Sequence, residues 1–219
     1  MSRRLAFVAL LLLAASASAQ PAHPAAPQRI RNHFDADAHL GPPAFFNFLV
    51  LGAPGPAEWK VVAGRNPLSS PNQAMQVVQG RPADSIAAAV RRNAVFQDGT
   101  WSIAIQKGAG RGGIVFRLTD EKNFRALLVD LGTGDARLIA YEKAKTAELS
   151  RGRAAVGNPW EILSVTARGP KITASWNGKA LLEATDPNPA PGSAGMATAG
   201  PAIIAFDEFI LEPATEGGR

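Results

Sequence analysis

Short apolar or alternating segments, separated by Gly, Pro, Asn and Asp, recur along the chain from residue 30 onward. Because side chains alternate between the two faces of a strand, such runs predict β-strands. Many short strands with turn residues between them are typical of a sandwich or barrel. We therefore predict an all-β fold, a two-sheet antiparallel β-sandwich with at most one or two short helices. The predicted strands include residues 59–62, 74–79, 101–106, 113–118, 124–131, 136–141, 161–168, 171–176 and 202–211.

Two segments could form helices instead of strands. DSIAAAVRR (residues 84–92) and residues 141–149 contain residues that suit a helix, but both are short enough to form strands or loop turns instead.

The stretch ITASWNGKALLEA (residues 172–184) poses the question whether its Trp stacks on a sugar or packs in the core. Ile172, Ala174 and Trp176 share one face of the predicted strand. Asn177 and Gly178 supply the two positive φ angles of a type I′ turn. We therefore predict a β-hairpin with Trp176 in the core.

The two ends of the chain carry signals of another kind. Residues 1–19 (MSRRLAFVALLLLAASASA) combine a basic start, an apolar run too short to span a bilayer, and small residues at Ala17 and Ala19. This pattern predicts a secretory signal peptide. We expect a Pro/Ala spacer at residues 20–29, one sandwich domain at 30–213 and a flexible tail at 214–219. The mature protein is then secreted or periplasmic, without a membrane anchor.

Composition narrows the chemistry. The chain has no Cys, which excludes disulfides, thiolate metal sites and cysteine catalysis. Removal of the signal takes away Arg3 and Arg4 and leaves 21 basic residues against 18 acidic ones, a net charge of +3. The small excess forms no basic cluster, so we expect no nucleic-acid partner. We also expect no cofactor and no metal.

The order of several motifs resembles the concanavalin A-like lectin/glucanase superfamily. The nearest branch is similar to bacterial exported proteins related to the 3-keto-disaccharide hydrolase domain, and the match covers about residues 34–213. The motifs are GGIVFRLTDEKNF (residues 112–124), LIAY (138–141), NPWEILSVTARGPKITASWNGKALLEATD (158–186) and GSAGMATAGPAIIAFDEFIL (192–211).

The resemblance implies a jelly roll whose concave face binds sugars in those members that bind them. Strand alternation, with the richer apolar set taken as core, leaves Arg117 and Asp130 pointing outward toward that groove. Together with Asn123 they could form a polar cluster that binds a hydroxylated or anionic ligand. The alternative is a cross-strand ion pair of Arg117 with Asp130 that only completes the sheet surface.

Three departures from the family concern the same groove. Relatives often carry an Arg, a Trp and a Lys where this chain has Leu128, Ala197 and Ala199. The resemblance thus implies a groove that has lost two cations and one stacking platform.

Other candidate sites fit ordinary structural roles. Asp207 and Glu208 are adjacent and point to opposite faces of a strand, so we expect a solvated edge or a packing role for Asp207 instead of paired-carboxylate catalysis. In HFDADAH (residues 33–39) we expect a first strand with Phe34 in the core and a polar outer face; a metal site is the alternative. KGAGRGG (residues 107–113) lacks the Lys-Ser/Thr of a phosphate loop and is expected to connect two strands.

These patterns favour an exported, non-catalytic, carbohydrate-associated binding or accessory protein with ligand-binding residues Arg117, Asn123 and Asp130 and a carbohydrate as the candidate partner. The alternatives are a hydrolase or lyase acting on a sugar derivative and a structural protein-interaction domain. With three His in the chain and no G-x-S-x-G segment, a serine-hydrolase triad is not expected.

Overall fold

A computed structural model describes residues 28–64, 68–78 and 80–214. The predicted signal peptide, the spacer up to residue 27 and the tail beyond residue 214 lie outside the described residues. The described part contains strands, turns and bends but no helix, and hence no helix long and apolar enough to cross a membrane. Both helical alternatives are wrong, because residues 84–92 and 141–149 fall in strands and turns.

The described part of the chain contains fifteen strands, which confirms the predicted all-β class. They are β1 (Ile30–Asn32), β2 (Phe46–Gly52), β3 (Trp59–Ala63), β4 (Asn72–Gln76), β5 (Ser85–Phe96), β6 (Gly99–Gln106), β7 (Arg111–Asp120), β8 (Asn123–Asp130), β9 (Asp135–Glu142), β10 (Lys145–Arg153), β11 (Trp160–Arg168), β12 (Lys171–Trp176), β13 (Lys179–Thr185), β14 (Gly192–Ala199) and β15 (Ile204–Pro213).

The strands form two antiparallel sheets. The eight-stranded sheet has the order β13-β12-β11-β6-β15-β4-β3, with β1 paired to β15. The seven-stranded sheet has the order β10-β9-β8-β7-β14-β5-β2. Both sheets contribute apolar side chains to one interior, so the molecule is the predicted sandwich. The largest of these side chains that are fully buried are Trp101, Phe116, Phe206, Phe209, Ile103, Ile105, Ile114, Leu127, Leu138 and Leu163.

The hairpin of β12 and β13 forms as predicted. Asn177 and Gly178 have φ angles of 50° and 75° and join the two strands. The Trp176 side chain is buried, and its Nε1 donates to the carbonyl oxygen of Ala155. The core assignment of Trp176 is thus confirmed.

Irregular pairing near one end of β7 changes which face its side chains use. The pairing of β7 with β8 shifts between Phe116 and Asp120, and Arg117 has a positive φ of 49°. Strand alternation therefore breaks at this point. Leu118 packs on the opposite face from Phe116, although simple alternation predicts the same face.

Candidate functional site

The candidate site lies on the face of the seven-stranded sheet that points away from the eight-stranded sheet. In an antiparallel sheet with one face packed, the other face is normally polar. Here that face carries apolar side chains that are themselves buried. We name it the outer apolar face; it comprises Leu51, Ile86, Ala88, Val90, Val115, Leu118, Phe124, Ala126, Leu128, Ala197 and Ala199, with Leu49, Ile139 and Tyr141 packed against them.

Small residues cross the middle of the outer apolar face. Ala88 pairs with Ala197, and Ala197 pairs with Gly113. A Cβ on Gly113 would lie 1.9 Å from the carbonyl oxygen of Leu127, so the backbone packing requires glycine there. We name Ala88, Ala197 and Gly113 the small-residue row.

A cavity of about 440 Å³ opens at one end of the outer apolar face. We name it the first cavity. The rings of Phe124 and Tyr141 stack in its wall, with centroids 4.8 Å apart and planes inclined by 20°. A cavity of this size with apolar walls and a few polar groups is typical of a small-molecule site. Its polar lining consists of Asp84, Arg111, Asp130, Asp135, Arg137, Thr146 and Glu148.

Three of the six charged side chains around the first cavity take part in ion pairs, namely Asp135, Arg137 and Glu148. Arg151 holds Glu148 at 3.0 Å, and Arg137 approaches the same carboxylate at 4.0 Å. The hydrogen bond from Arg151 lowers the pKa of Glu148. Asp84 makes no ion pair within the part of the chain that the structure describes. The exposed Asp84 and Arg137 side chains therefore keep hydrogen-bonding capacity for a ligand.

Asp130, one of the predicted site residues, lines the first cavity and also shapes the turn beside it. Its Oδ1 accepts hydrogen bonds from the backbone N–H groups of Gly132 and Thr133, at 3.0 and 2.9 Å. Burial alone would raise the pKa of Asp130, but these bonds outweigh burial and hold the pKa below its ordinary value. Its cross-strand neighbour on β7 is Arg111.

A second cavity, of about 620 Å³, lies at the other end of the same face. Leu49, Val90 and Leu118 form its apolar side, and residues 119–123 form its polar side. Residues of the outer apolar face thus border both cavities.

Arg117 does not point outward, contrary to the prediction. The irregular backbone of β7 turns its side chain toward the end of the sandwich, where it is 3% exposed. Its Nη1 donates to Asp186 at 2.8 Å, and its Nη2 donates to the carbonyl oxygen of Gly169 at 2.6 Å. The alternative ion pair of Arg117 with Asp130 is also wrong, because Asp130 lies opposite Arg111 at the far end of the strand pair.

Arg117 belongs instead to a buried ionic group that we name the Asp186 cluster: Arg117, Arg125, Glu142 and Asp186. Arg125 donates from Nε and Nη2 to the two oxygens of Asp186, at 3.0 and 2.7 Å. Asp186 is 0% exposed. Burial would raise its pKa, but the bonds from Arg125 and Arg117 outweigh burial and lower it. The cluster fastens the segment after β13 to β7 and β8.

Asn123, the remaining predicted residue, stabilises a turn. Its amide nitrogen donates to both oxygens of Asp120, at 3.0 and 2.9 Å, and its Oδ1 accepts from the backbone N–H of Lys143. Asn123 and Arg117 both line a further cavity of about 360 Å³ at the end of the sandwich. The structure therefore brings Arg117 and Asn123 together but separates them from Asp130. Ligand binding by these three residues stays a prediction.

Asp207 is not solvated; the packing alternative is the one observed. Its side chain is 0% exposed and accepts hydrogen bonds from the backbone N–H of Ser69 at 2.7 Å and from the Ser69 hydroxyl at 2.9 Å. Burial raises the pKa of Asp207 more than these bonds lower it.

Residues 33–39 do not form the expected strand. β1 ends at Asn32, and Phe34 adopts a positive φ of 63° within a turn, although its ring is buried as predicted. Asp35 bonds the His33 ring at 2.9 Å, and Asp37 accepts from the backbone N–H of Ala44. Among the described residues, no group of three or more His, Cys, Asp or Glu side chains could hold a metal ion.

The architecture is that of the concanavalin A-like and galectin-like β-sandwiches. No family model matches the chain, and no curated protein matches it. The chain is similar to the carbohydrate-binding module CBM66 from Bacillus subtilis, with TM-score 0.54 and 19% identity over 70% of this chain and 94% of that one.

Two further solved structures cover more of the chain. A Bacillus subtilis protein of unknown function with a galectin-like fold has TM-score 0.56 and 12% identity, covering 85% of this chain and 96% of that one. The β-glucanase of Bacillus licheniformis has TM-score 0.54 and 11% identity, covering 86% and 99%. At these identities the likenesses establish the fold alone.

Sequence reasoning missed several residues of the first cavity. Phe124 and Tyr141 were available from strand alternation, because each lies an even number of residues from an outward position on its own strand, namely Leu128 on β8 and Ile139 on β9. Arg111 lies in the glycine-rich segment 107–113, whose composition predicts a connection, whereas in the structure it is the first residue of β7. The Asp186 cluster had no sequence signal, since its members lie up to 69 positions apart.

Proposed function

We propose that the chain is an exported, non-catalytic carbohydrate-binding protein that holds a sugar in the first cavity. The observation that carries the proposal is the mixed lining of this cavity. The partly exposed Tyr141 ring, backed by the buried Phe124, offers an apolar surface to the C–H face of a sugar ring, and the charged rim offers partners to its hydroxyls.

Particular rim groups suit hydroxyl recognition. Arg137 presents a planar fork of donors, Asp84 presents an acceptor, and Thr146 can do either. The positions at which related proteins often carry other residues also fall here. Leu128 and Ala199 line the cavity, and Ala197 lies in the adjoining small-residue row.

The carboxylates support binding without turnover. Glycoside hydrolysis needs one carboxylic acid whose pKa is raised so that it can protonate the leaving oxygen. The pKa values of Asp130 and Glu148 are lowered instead. Asp207, whose pKa is raised, lies in the eight-stranded sheet and bonds Ser69. A hydrolase related to the 3-keto-disaccharide hydrolase domain is the second candidate, because four carboxylates line the same cavity.

The similarity to CBM66, a carbohydrate-binding module by its name, supports the proposal at the level of the fold. The pattern of residues 1–19 supports export.

The test is a thermal-shift screen of residues 20–219 against mono- and oligosaccharides, followed by calorimetric titration of the sugars that raise the melting temperature. Arg137→Ala should weaken binding about tenfold, since a hydrogen bond to a charged group contributes about 1.5 kcal/mol. The matched control is Arg168→Ala, an exposed arginine on the eight-stranded sheet, which should leave the affinity unchanged.

Two results would contradict the proposal. Equal losses in Arg137→Ala and Arg168→Ala would move binding away from the first cavity. Appearance of cleaved sugar in the titrated sample, detected by chromatography, would replace the binding protein with the hydrolase.

A further inference from the structure

The strand orders of the two sheets end in four strands, and among the described residues one of these four has an uncovered edge. β10 and β13, which end the two sheets on one side of the sandwich, contact each other. On the other side, the loop before β2 covers the outer edge of β3: Leu40 donates to the carbonyl oxygen of Val61, and Val61 donates to that of Gly41. The remaining end strand, β2, pairs only with β5 within the described part of the chain.

The backbone groups of β2 point alternately toward β5 and away from it. The N–H of Arg92 donates to the carbonyl oxygen of Phe45 at 2.9 Å, and the pairing of β2 with β5 continues in the same register. Odd-numbered residues of β2 therefore bond β5, whereas Phe46, Phe48 and Val50 direct their N–H and C=O groups outward. Over the ranges that the structure describes, no backbone hydrogen bond reaches these outward groups.

The sequence of β2 lacks the features that usually protect an edge strand. Such strands commonly carry a charge, a proline or a β-bulge, each of which prevents pairing with another chain. The β2 sequence is FNFLVLG, and its pairing with β5 shows no register shift. Phe48 is 38% exposed, although Phe46 on the same face is 4% exposed. The edge thus combines free hydrogen-bonding groups with an exposed aromatic ring.

We propose that β2 pairs antiparallel with β2 of a second copy of this chain, about a twofold axis at Phe48. Two identical antiparallel strands are self-complementary, because the same outward groups meet from both sides. In this register Phe48 lies opposite Phe48 of the second copy, and Phe46 lies opposite Val50. Since β2 carries no charge, no like charges meet at the axis. The inference is independent of the proposed carbohydrate binding.

The size of this surface suits a weak dimer. A strand of seven residues extends about 24 Å, and the side of two sheets packed about 10 Å apart is about 20 Å wide with its side chains. Pairing would then bury about 500 Å² on each copy, or about 1,000 Å² in total, which is at the lower end of specific interfaces. We therefore expect a dissociation constant of about 10 to 100 μM.

The first experiment is sedimentation velocity of residues 20–219 at protein concentrations from about 1 to about 500 μM. We expect the monomer to convert into a dimer as the concentration rises, and no larger species, because a twofold interface closes on itself. A monomer at every concentration would overturn the inference. Assembly beyond the dimer would overturn it as well.

A charge exchange at Phe48 tests the position of the axis. Phe48→Lys and Phe48→Glu should each weaken the dimer at least tenfold, because like charges then face each other across the axis. An equimolar mixture of the two variants should associate again. Ile162→Lys is the matched control, since Ile162 is 36% exposed on the eight-stranded sheet, and it should leave the dissociation constant unchanged. An unweakened Phe48→Lys dimer, or a mixture that does not associate, would overturn the inference.

Amide hydrogen exchange tests the same pairing on the unaltered protein, so it decides the matter if the Phe48 variants do not fold. The N–H groups of Phe48 and Val50 should exchange about fivefold more slowly at a concentration about tenfold above the dissociation constant, where about one fifth of the chain is still monomeric. The N–H of Leu49, which bonds β5, should exchange at the same rate at all concentrations. Exchange at Phe48 and Val50 that does not depend on concentration would overturn the inference.

Discussion

At the scale of single residues, Asp186 is a buried carboxylate paired with two arginines. It is fully buried and receives hydrogen bonds from two arginines, each of which has a further acidic partner, Asp98 for Arg117 and Glu142 for Arg125. Breaking a buried ion pair of this kind is strongly destabilising, because removal of one partner leaves the other charge buried and uncompensated. The Asp186 cluster therefore has a structural role at the end of the sandwich, not a ligand-binding role.

Asp186→Asn should lower the free energy of unfolding by about 3 kcal/mol, which corresponds to roughly 6 to 12 °C in melting temperature for a chain of this size. Glu183→Gln is the control, since Glu183 is largely exposed and pairs with Lys171 at 3.6 Å. The control should change stability by less than about 1 kcal/mol. A loss below about 1 kcal/mol in Asp186→Asn, measured by urea unfolding, would show that the cluster does not hold this end together.

The stability difference between Asp186→Asn and the unaltered protein should depend on pH. The folded-state pKa of Asp186 lies below its value of about 4 in the unfolded chain, so its stabilising effect is present above that value and is lost as the pH falls through the lowered pKa. Urea unfolding of both proteins between pH 7 and pH 2 should show the difference constant at neutral pH and shrinking in acid. A difference that grows in acid would contradict the lowered pKa.

At the scale of elements, β7 and β14 determine what the outer apolar face can be. Their pairing is regular from Ala199 to Gly195 and shifts between Gly195 and Ser193. On the regular side, close backbone approach requires glycine at Gly113 and Gly195, whose added Cβ atoms would lie 1.9 and 2.0 Å from carbonyl oxygens. On the irregular side, Arg117 is turned toward the Asp186 cluster.

Gly113→Ala should destabilise the protein by about 2 kcal/mol or more, because the methyl group must displace the backbone at Leu127. Gly157→Ala is the matched control: nothing lies within 4 Å of its added Cβ, so stability should stay the same or rise slightly. Thermal unfolding of the two variants tests this prediction. Similar melting temperatures would contradict the close packing of β7 on β8.

Strand positions and single side chains were predictable to different degrees. The alternating runs located nine of the strands, and the Asn177-Gly178 pair fixed the hairpin that buries Trp176. Alternation also placed Leu128 and Asp130 correctly on the outward side of β8. It failed at Arg117, because an irregular pairing leaves no local mark in sequence and shifts every later side chain by one face.

At the scale of the whole molecule, the sandwich has one apolar core between its sheets and a second cluster of buried apolar side chains on the outer face of the seven-stranded sheet. We propose that a sugar bound in the first cavity contacts both the apolar wall and the charged rim of that cavity. The proposed function places the carbohydrate ligand in the first cavity.

The most direct test of carbohydrate binding in the first cavity is a methyl-selective NMR titration of residues 20–219 with the sugar of highest affinity. We expect the methyl signals of Ile86, Leu128 and Ile139 to shift on binding, whereas the signal of Ile162, on the eight-stranded sheet, should not change. Shifts confined to Ile162 and its neighbours, with Ile86, Leu128 and Ile139 unchanged at saturation, would contradict it.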